Sequence, residues 1–569
     1  MNGLVMILVS AAFLFVAYVT YGRFLAKKWG IEPDRKTPAT EFEDGQDYVP
    51  SNPSVVFGHH FTSIAGAGPI NGPIIAAMFG WVPVLLWILI GSVFFGAVMD
   101  FASMYASVRS KGKSIGYIIE LYIGRTGKKL FLIFVWLFSV LVLAAFTDIV
   151  ANTFNGFTAA GATIAANGSA ATTSMVFIGV AVLFGFYIKK RKPKGLEATL
   201  IAIALLVGSI IVGLQFPIFI ERGLWIYIVL AYAILASITP VWALLIPRDY
   251  INTFLLIAII GAAFFGVIFT APAMNLPAFT GFVIGNNYLF PMLFVTVACG
   301  AISGFHALIA SGTVSKQLSN EKHMLSIGYG GMLVEALLAV IALITVGAVT
   351  VGGRLPEGVV TPIQIFAYGV ASFLNFFRLP NHVVVSVMTL GISAFALTTL
   401  DSVSRIARMT IQEFFSDDQN EGREPSALVK FISNKYTATL ITCILSYALA
   451  IVGYASIWPL FGSANQLLGA LALIACSVFM KKTKRQGAML WVPMGGLLIV
   501  TLTALSMVVY RNVNLIFSGN FVASQHLLQI LFGVLLLALG VMVAVQGIQK
   551  LTEKPKAAEQ AAESAPQTV

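Results

Sequence analysis

The chain has 569 residues, of which 58% are apolar and 10% charged, and it carries a net charge of +11 with three cysteines. A soluble domain holds roughly 25% charged residues, so the composition excludes a soluble globular protein and points to a membrane protein. The basic excess sits in short loops between apolar runs, which suits anionic lipid rather than nucleic acid, and Cys299, Cys443 and Cys476 lie singly within apolar runs, at neither disulfide nor metal-ligand spacing.

The apolar runs in chain order are Leu4–Tyr21, Phe61–Phe79, Trp81–Ser107, Leu130–Ala151, Thr172–Ile188, Thr199–Ile218, Leu224–Ile246, Thr253–Ala271, Leu289–Gly312, Met324–Thr350, His382–Leu400, Tyr436–Tyr454, Ser456–Met480, Leu490–Tyr510 and Ser524–Gly547. Each is long enough to cross the roughly 30 Å hydrocarbon core as a helix. The runs are continuous rather than alternating, so helices and not a barrel are expected. The reading is an all-α polytopic membrane protein of about 15 transmembrane helices. The first run lacks a basic flank and a small-residue cleavage site, and is read as a retained helix.

Drawn as a zigzag, the chain places all of its 35 Lys and Arg on one side except Arg222, Arg354, Arg378 and Arg511. The rich side is the cytoplasm. The N-terminus is therefore expected outside and the C-terminus inside, which an odd number of crossings allows. Residues 1–553 form the transmembrane domain, and residues 554–569, rich in Ala, Glu and Pro, are expected to be a disordered cytoplasmic tail.

Two runs carry helix-breaking residues. Gly66-Ala67-Gly68-Pro69-Ile70-Asn71-Gly72-Pro73 puts two prolines and three glycines near the bilayer midplane, where unwound backbone is tolerated only if it is buried or lines a cavity. Ser237-Ile238-Thr239-Pro240 interrupts the run Leu224–Ile246. Leaving the first run aside, these are the first and sixth helices, the leading members of two groups of five. Five is odd, so the second group is inverted. Broken helices at matching places of inverted repeats mark the substrate site of a secondary transporter. The expectation is a LeuT-like five-plus-five core over 61–400, with accessory helices over 436–547. Substrate contacts are expected from Gly66, Gly68, Asn71, Gly72 and Thr239.

Ionisable residues inside the runs are costly and are functional candidates. Asp100, Asp148, His306 and Glu335 are such residues. Glu335 lies near the midplane and either carries a coupling proton or is a neutral Glu bonded to a neighbouring helix. Asp100 and Asp148 lie closer to helix ends, where a structural hydrogen bond suffices. Ser303, Ala307 and Ser311 share one face of a helix that also bears His306 and ends near Thr313; hydroxyls there could ligate sodium, or the small residues could simply pack. His59 and His60 point to different helix faces and have no Cys or carboxylate at ligand spacing, so neither a metal nor a cofactor is expected. Arg405 and Arg408 either pair with Asp249 or Asp401 as a gate or serve as ordinary cytoplasmic anchors.

Together these segments resemble the carbon starvation protein family, CstA. The stretches that carry the resemblance are Phe57-Gly58-His59-His60-Phe61 running into Ile64-Ala65-Gly66-Ala67-Gly68-Pro69, then Pro247-Arg248-Asp249-Tyr250, Ser303-Gly304-Phe305-His306-Ala307 with Ser311-Gly312-Thr313, Thr398-Thr399-Leu400-Asp401-Ser402 with Arg405, and Trp458 to Gln466. The resemblance implies a bacterial inner-membrane carrier linked to nutrient starvation. It implies uptake of peptides or, in related members, of pyruvate with protons, and kinship with the amino acid/polyamine/organocation transporters. The expected partners are a small-molecule substrate, a proton or sodium ion and membrane lipid. No ATP-binding motif is present, and the cytoplasmic loops are too short for a signalling domain. An intramembrane enzyme or a non-transporting nutrient sensor is the alternative.

Overall fold

The computed structural model describes residues 2–45, 48–158, 160–191, 193, 195–240, 242–356, 359, 361–420, 426–518 and 521–553. The expected disordered tail, 554–569, lies outside the described residues. Helices dominate, with one two-stranded hairpin, Val283–Ile284 with Asn287–Tyr288.

Twelve helices among the described residues are long and apolar enough to cross a membrane. In chain order the helices used below are α1 (Gly3–Trp29), the half-helices α2 (Pro53–Ile64) and α3 (Gly68–Ala76), α4 (Trp81–Arg109), α5 (Arg125–Phe154), α6 (Ala165–Arg191), α7 (Gly195–Gln215), α8 (Arg222–Ile238), α9 (Leu245–Thr270), the half-helices α10 (Leu289–Val297) and α11 (Gly304–Gly312), α12 (Leu325–Val349), α13 (Pro362–Leu374), α14 (Asn381–Phe415), α15 (Lys435–Ala450), α16 (Tyr454–Lys482), α17 (Ala488–Phe517) and α18 (Ala523–Thr552). Four of the fifteen expected runs thus appear as shorter or split helices: α2 with α3, α8, α10 with α11, and α15, of which α10 with α11 still counts as one of the twelve spans.

The first expected break is present but shorter than Gly66–Pro73. Only Ala65–Ala67 leave the helix, and winding resumes at Gly68. Pro69 falls in the first turn of α3, where its missing N–H has no partner to lose.

The second break is not where it was expected. At Ser237–Pro240 the helix simply ends: α8 stops at Ile238, and the Arg405 guanidinium caps it by donating to Ala236 O and Thr239 O at 2.7 and 2.8 Å. Pro240 follows the end of a helix rather than unwinding one at mid-span. The mid-span interruption lies instead between α10 and α11, at residues 298–303, where Ala298 takes a positive φ of 29° and Ser303 is extended.

The two broken helices lie side by side, α3 against α10 and α2 against α11. Glycines permit the approach. A Cβ on Gly72 would stand 2.7 Å from the carbonyl oxygens of both Thr296 and Val297, and one on Gly68 2.6 Å from Cys299 Sγ. Beside them α5 and α14 make the most extensive helix contact in the molecule, and α8 and α15 close a four-helix frame around that pair. Helix α16, expected among the accessory helices, is the most buried of all the long helices and packs on α4, α5, α10 and α11.

One helix was not expected. Helix α13 begins beside Tyr454, and its far end packs on Gly266 and, through Phe376 and Phe377, on Phe269. Both ends lie on one side, so α13 caps that side without crossing. Contacts between distant segments likewise join residues that the zigzag puts on the same side. Gly3 N donates to Pro272 O, Asp148 holds Arg222 and the Tyr454 N–H, Arg109 holds Glu321, and Lys128 holds Glu120.

Candidate functional site

The two breaks enclose a cavity of about 20 Å³, the room of a single water. Gly66 and Gly68 come from the first break and Cys299, Ser303 and Phe305 from the second. Phe138 and Phe146 of α5, Thr399 of α14, and Phe461 and Asn465 of α16 complete the wall. Helices α3 and α11 both start at the breaks, so their N–H ends face the cavity, while α2 and α10 end there with carbonyls. The first arrangement favours an anionic group and the second a cation.

Asn465 organises the wall. Its carbonyl accepts from the Phe305 N–H at 3.2 Å, and its amide donates to Ser303 Oγ at 3.0 Å and to Cys299 Sγ at 3.4 Å. One side chain on α16 therefore ties both edges of the second break. Asn465→Leu leaves the Phe305 N–H and the Ser303 hydroxyl unpaired and is expected to cost about 1–3 kcal/mol, read as earlier thermal unfolding in detergent.

Above the cavity, on the side of Tyr454 and Phe79, a vestibule of about 430 Å³ opens to solvent, with Ile74, Met292, Thr296 and Trp458 in its wall and Arg511 at its rim. Below the cavity the protein is closed. Arg248 of α9 forms a buried ion pair with Asp401 of α14. Tyr232 of α8 donates to Asp401 Oδ2 at 2.8 Å and accepts from Arg248 Nη1 at 2.7 Å. Beside this lock, His59 Nδ1 of α2 lies 3.7 Å from Asp249 Oδ2. The partner of Asp401 is thus Arg248 rather than Arg405, which caps α8 instead.

A second polar cluster sits behind the cavity. His306 Nδ1 lies 3.0 Å from Asp100 Oδ2 of α4, and His306 Nε2 lies 3.3 Å from Glu335 Oε2 of α12; all three side chains are fully buried. The two ring nitrogens point in different directions, so the three groups offer no common point to a metal. No group of three or more His, Cys, Asp or Glu among the described residues could hold one.

The structure therefore brings Gly66, Gly68 and Ser303 to the cavity and joins His306 to Glu335. Gly72 packs on the carbonyls of α10. Asn71 is buried beside it, and neither atom of its amide has a hydrogen-bond partner among the described residues. Thr239 is not brought to the cavity; it sits at the inner end of α8. Ser311 donates to Ala307 O and accepts from the Ile115 N–H near the inner edge, and Thr313 is exposed there, so neither joins Ser303. Thr399 and the four phenylalanines escaped residue-by-residue reading, whereas Asn465 reads from the sequence as a residue that ties helices together, and its bonds across the second break do so. Thr399, Asn465, Phe305 and Phe461 fall in stretches that carried the family resemblance, whereas Phe138 and Phe146 look like any others in an apolar run.

The family model described as "Carbon starvation protein CstA" matches residues 2–355 and 357–504. The peptide transporter CstA of Escherichia coli is 32% identical, with 88% of this chain and 80% of the relative covered. The peptide transporter CstA of Bacillus subtilis is also 32% identical, over 97% of each chain. The pyruvate/proton symporter BtsT of Escherichia coli is 30% identical over 92% of this chain and 84% of the relative. Among solved structures, the manganese transporter of Eremococcus coleocola in complex with an aromatic bis-isothiourea compound aligns with a TM-score of 0.50 at 13% identity, covering 90% of this chain and 98% of that one; the likeness is one of fold.

Proposed function

The chain belongs to the carbon starvation protein CstA family and is a membrane transporter, and we propose that it is a secondary active importer of a small nutrient, a short peptide or a pyruvate-like carboxylate, driven by a proton or sodium gradient across a bacterial inner membrane. The observation that carries this reading is the position of the cavity. It lies where two broken helices meet, beneath an open vestibule and above a closed ion-pair lock. That is the geometry of a carrier caught with one side open. Gly66, Gly68 and Ser303 supply backbone and hydroxyl contacts to the substrate, with Thr399 and Asn465 opposite. The Lys and Arg asymmetry supports an N-terminus outside and a vestibule facing outward.

The packing also supports an inverted repeat, assigned differently from the simple count of five. One unit comprises the broken helix α2–α3 with α4, α5, α8 and α9; the other comprises α10–α11 with α12, α14, α15 and α16. Helices α6 and α7 form an inserted hairpin. Contacts recur in pairs under this assignment: α3 on α12 mirrors α11 on α4, α2 on α9 mirrors α10 on α16, and α8 on α14 mirrors α15 on α5. The cap α13, between α12 and α14, has its counterpart in the short helix Ile115–Tyr122 between α4 and α5. The core then extends to Lys482.

Uptake of labelled pyruvate and of labelled dialanine into proteoliposomes, under an imposed proton or sodium gradient, tests the reading. Accumulation of one probe that collapses when the gradient is dissipated is expected. Flux indifferent to both gradients rejects a coupled carrier.

A further inference from the structure

We propose that Asp100, His306 and Glu335 are the proton site of the transport cycle, separate from the substrate cavity and joined to it through the first turn of α11. The proposal rests on the coupled-carrier reading above and selects the proton over sodium.

Charge sets the first constraint. Two carboxylates and a neutral imidazole would place two negative charges in a fully buried site, which is prohibitive without compensation. The groups facing the cluster supply none. Helix α2 contributes His60, whose ring lies against Gly331 one turn before Glu335, and the second break contributes Cys299. Helix α16 contributes the uncharged Asn465, and α3 only apolar residues and Asn71. No Lys or Arg is paired with the cluster among the described residues. A proton on the imidazole leaves one negative charge, and a second proton, on Glu335, leaves none. The closed site thus takes up protons and releases them when water or movement restores the cost balance.

Unused hydrogen-bonding capacity sets the second. Glu335 Oε1, Asp100 Oδ1 and both nitrogens of His60 are buried without a hydrogen-bond partner among the described residues, and Glu335 Oε2 has only its 3.3 Å ion-pair contact with His306 Nε2. Most buried polar atoms in folded proteins are satisfied, so several such atoms in one cluster call for an explanation. Here they are the places at which a proton can arrive and leave, and the 3.3 Å contact makes Glu335 the more loosely held carboxyl.

The link to the cavity is covalent and short. Ser303, on the cavity wall, accepts from the His306 N–H at 3.1 Å, and Asn465 holds Ser303 and the Phe305 N–H from the opposite side. The two carboxylates stand on different helices, α4 and α12. Any shift of α11 as the cavity fills or empties therefore changes the distances from His306 to both carboxylates at once. The proton loads with the substrate from the open side and leaves after the lock at Arg248–Asp401 opens.

Proteoliposomes containing wild type, Glu335→Gln, His306→Gln and Glu335→Asp, with a pH-sensitive dye inside, separate the outcomes. The probes are labelled pyruvate and labelled dialanine. In wild type, adding the transported probe acidifies the lumen. Glu335→Gln is expected to lose this acidification and gradient-driven accumulation, down to the level of empty vesicles, while still exchanging labelled for unlabelled probe, which also shows that it is folded; Glu335→Asp recovers part of both. Glu335→Gln and His306→Gln that acidify and accumulate like wild type overturn the proposal, as does accumulation driven by sodium alone. Infrared difference spectra between acid and alkaline buffer read the site without any substrate. A protonated-carboxyl band present in wild type and missing from Glu335→Gln is expected, and identical spectra overturn the proton site. A wild type that moves neither probe but shows the band counts against the substrate class and leaves the proton site standing.

Discussion

Arg248→Ala is expected to lower stability by about 3–5 kcal/mol, the cost of leaving a buried carboxylate without its counter-ion. Arg248 is 1% exposed and Asp401 is fully buried. Once the guanidinium is gone, the hydrogen bond from Tyr232 at 2.8 Å is the main remaining compensation for Asp401. Arg248→Lys should recover only part of the loss, because a single ammonium cannot serve Asp401, Tyr232 and the Ala394 carbonyl from one planar fork. The double change Arg248→Met with Asp401→Leu removes both charges and should unfold closer to wild type than Arg248→Ala does. Thermal unfolding in detergent checks the order: wild type, then the double variant, then Arg248→Lys, then Arg248→Ala. Equal stability of Arg248→Ala and wild type would show that water reaches Asp401 and that the inner side is not closed. The single variant should also expose the inner face. A cysteine placed at Ala65 is expected to react with a membrane-impermeant thiol reagent from the Arg248 side more readily in the Arg248→Ala background than in its absence.

How far the sequence disclosed this architecture depends on what each feature needs. The first break was legible because Gly66, Gly68 and Pro69 weaken a helix by themselves, with no help from neighbours. The second was not. Residues Ala298-Cys299-Gly300-Ala301 contain no proline and sit within an apolar run, and what holds them unwound is Asn465, more than 160 positions away along the chain. Pro240 misled because proline marks a helix end as readily as a mid-helix break, and only Arg405, from another helix, shows which of the two it is. Helix α13 was missed because a 13-residue helix that caps one side has no need of a membrane-length run. Asp100, His306 and Glu335 each stood out as ionisable residues in apolar surroundings, but their partnership is tertiary. Asp100 looked like a helix-end residue that snorkels or makes a structural hydrogen bond, and the hydrogen bond it makes is to His306 in a fully buried site. The central place of α16 was hidden for a related reason. Its Gly462 and Gly469 stand within an apolar run, and only the structure shows that they let α10 and α11 approach its backbone.

Gly72→Val is expected to abolish uptake while the protein still inserts and folds around its remaining core. Its Cβ would fall 2.7 Å from two backbone carbonyls, Thr296 O and Val297 O, and no side-chain rotation can move either. Helices α3 and α10 would have to part, and they form the outer lips of both breaks and the floor of the vestibule. Gly72→Ala, with one methyl group, should cost about 1–3 kcal/mol of overpacking. If that strain falls on the closed state through which transport passes, uptake drops by about tenfold for each ~1.4 kcal/mol. Gly68→Ala provides the contrast, because its obstacle is a side chain, that of Cys299, with Sγ at 2.6 Å and Cβ at 2.7 Å. Adding Cys299→Gly, which removes both atoms, should restore much of the uptake lost in Gly68→Ala and none of that lost in Gly72→Val. Gly208→Ala, on the inserted hairpin where a Cβ meets nothing within 4 Å, should transport like wild type. Initial uptake rates of whichever probe wild type accumulates, normalised to protein in the vesicles, decide the matter. Rescue of Gly72→Val by Cys299→Gly, or wild-type uptake by Gly72→Val itself, would mean that the two broken helices do not need to close on one another for substrate to cross.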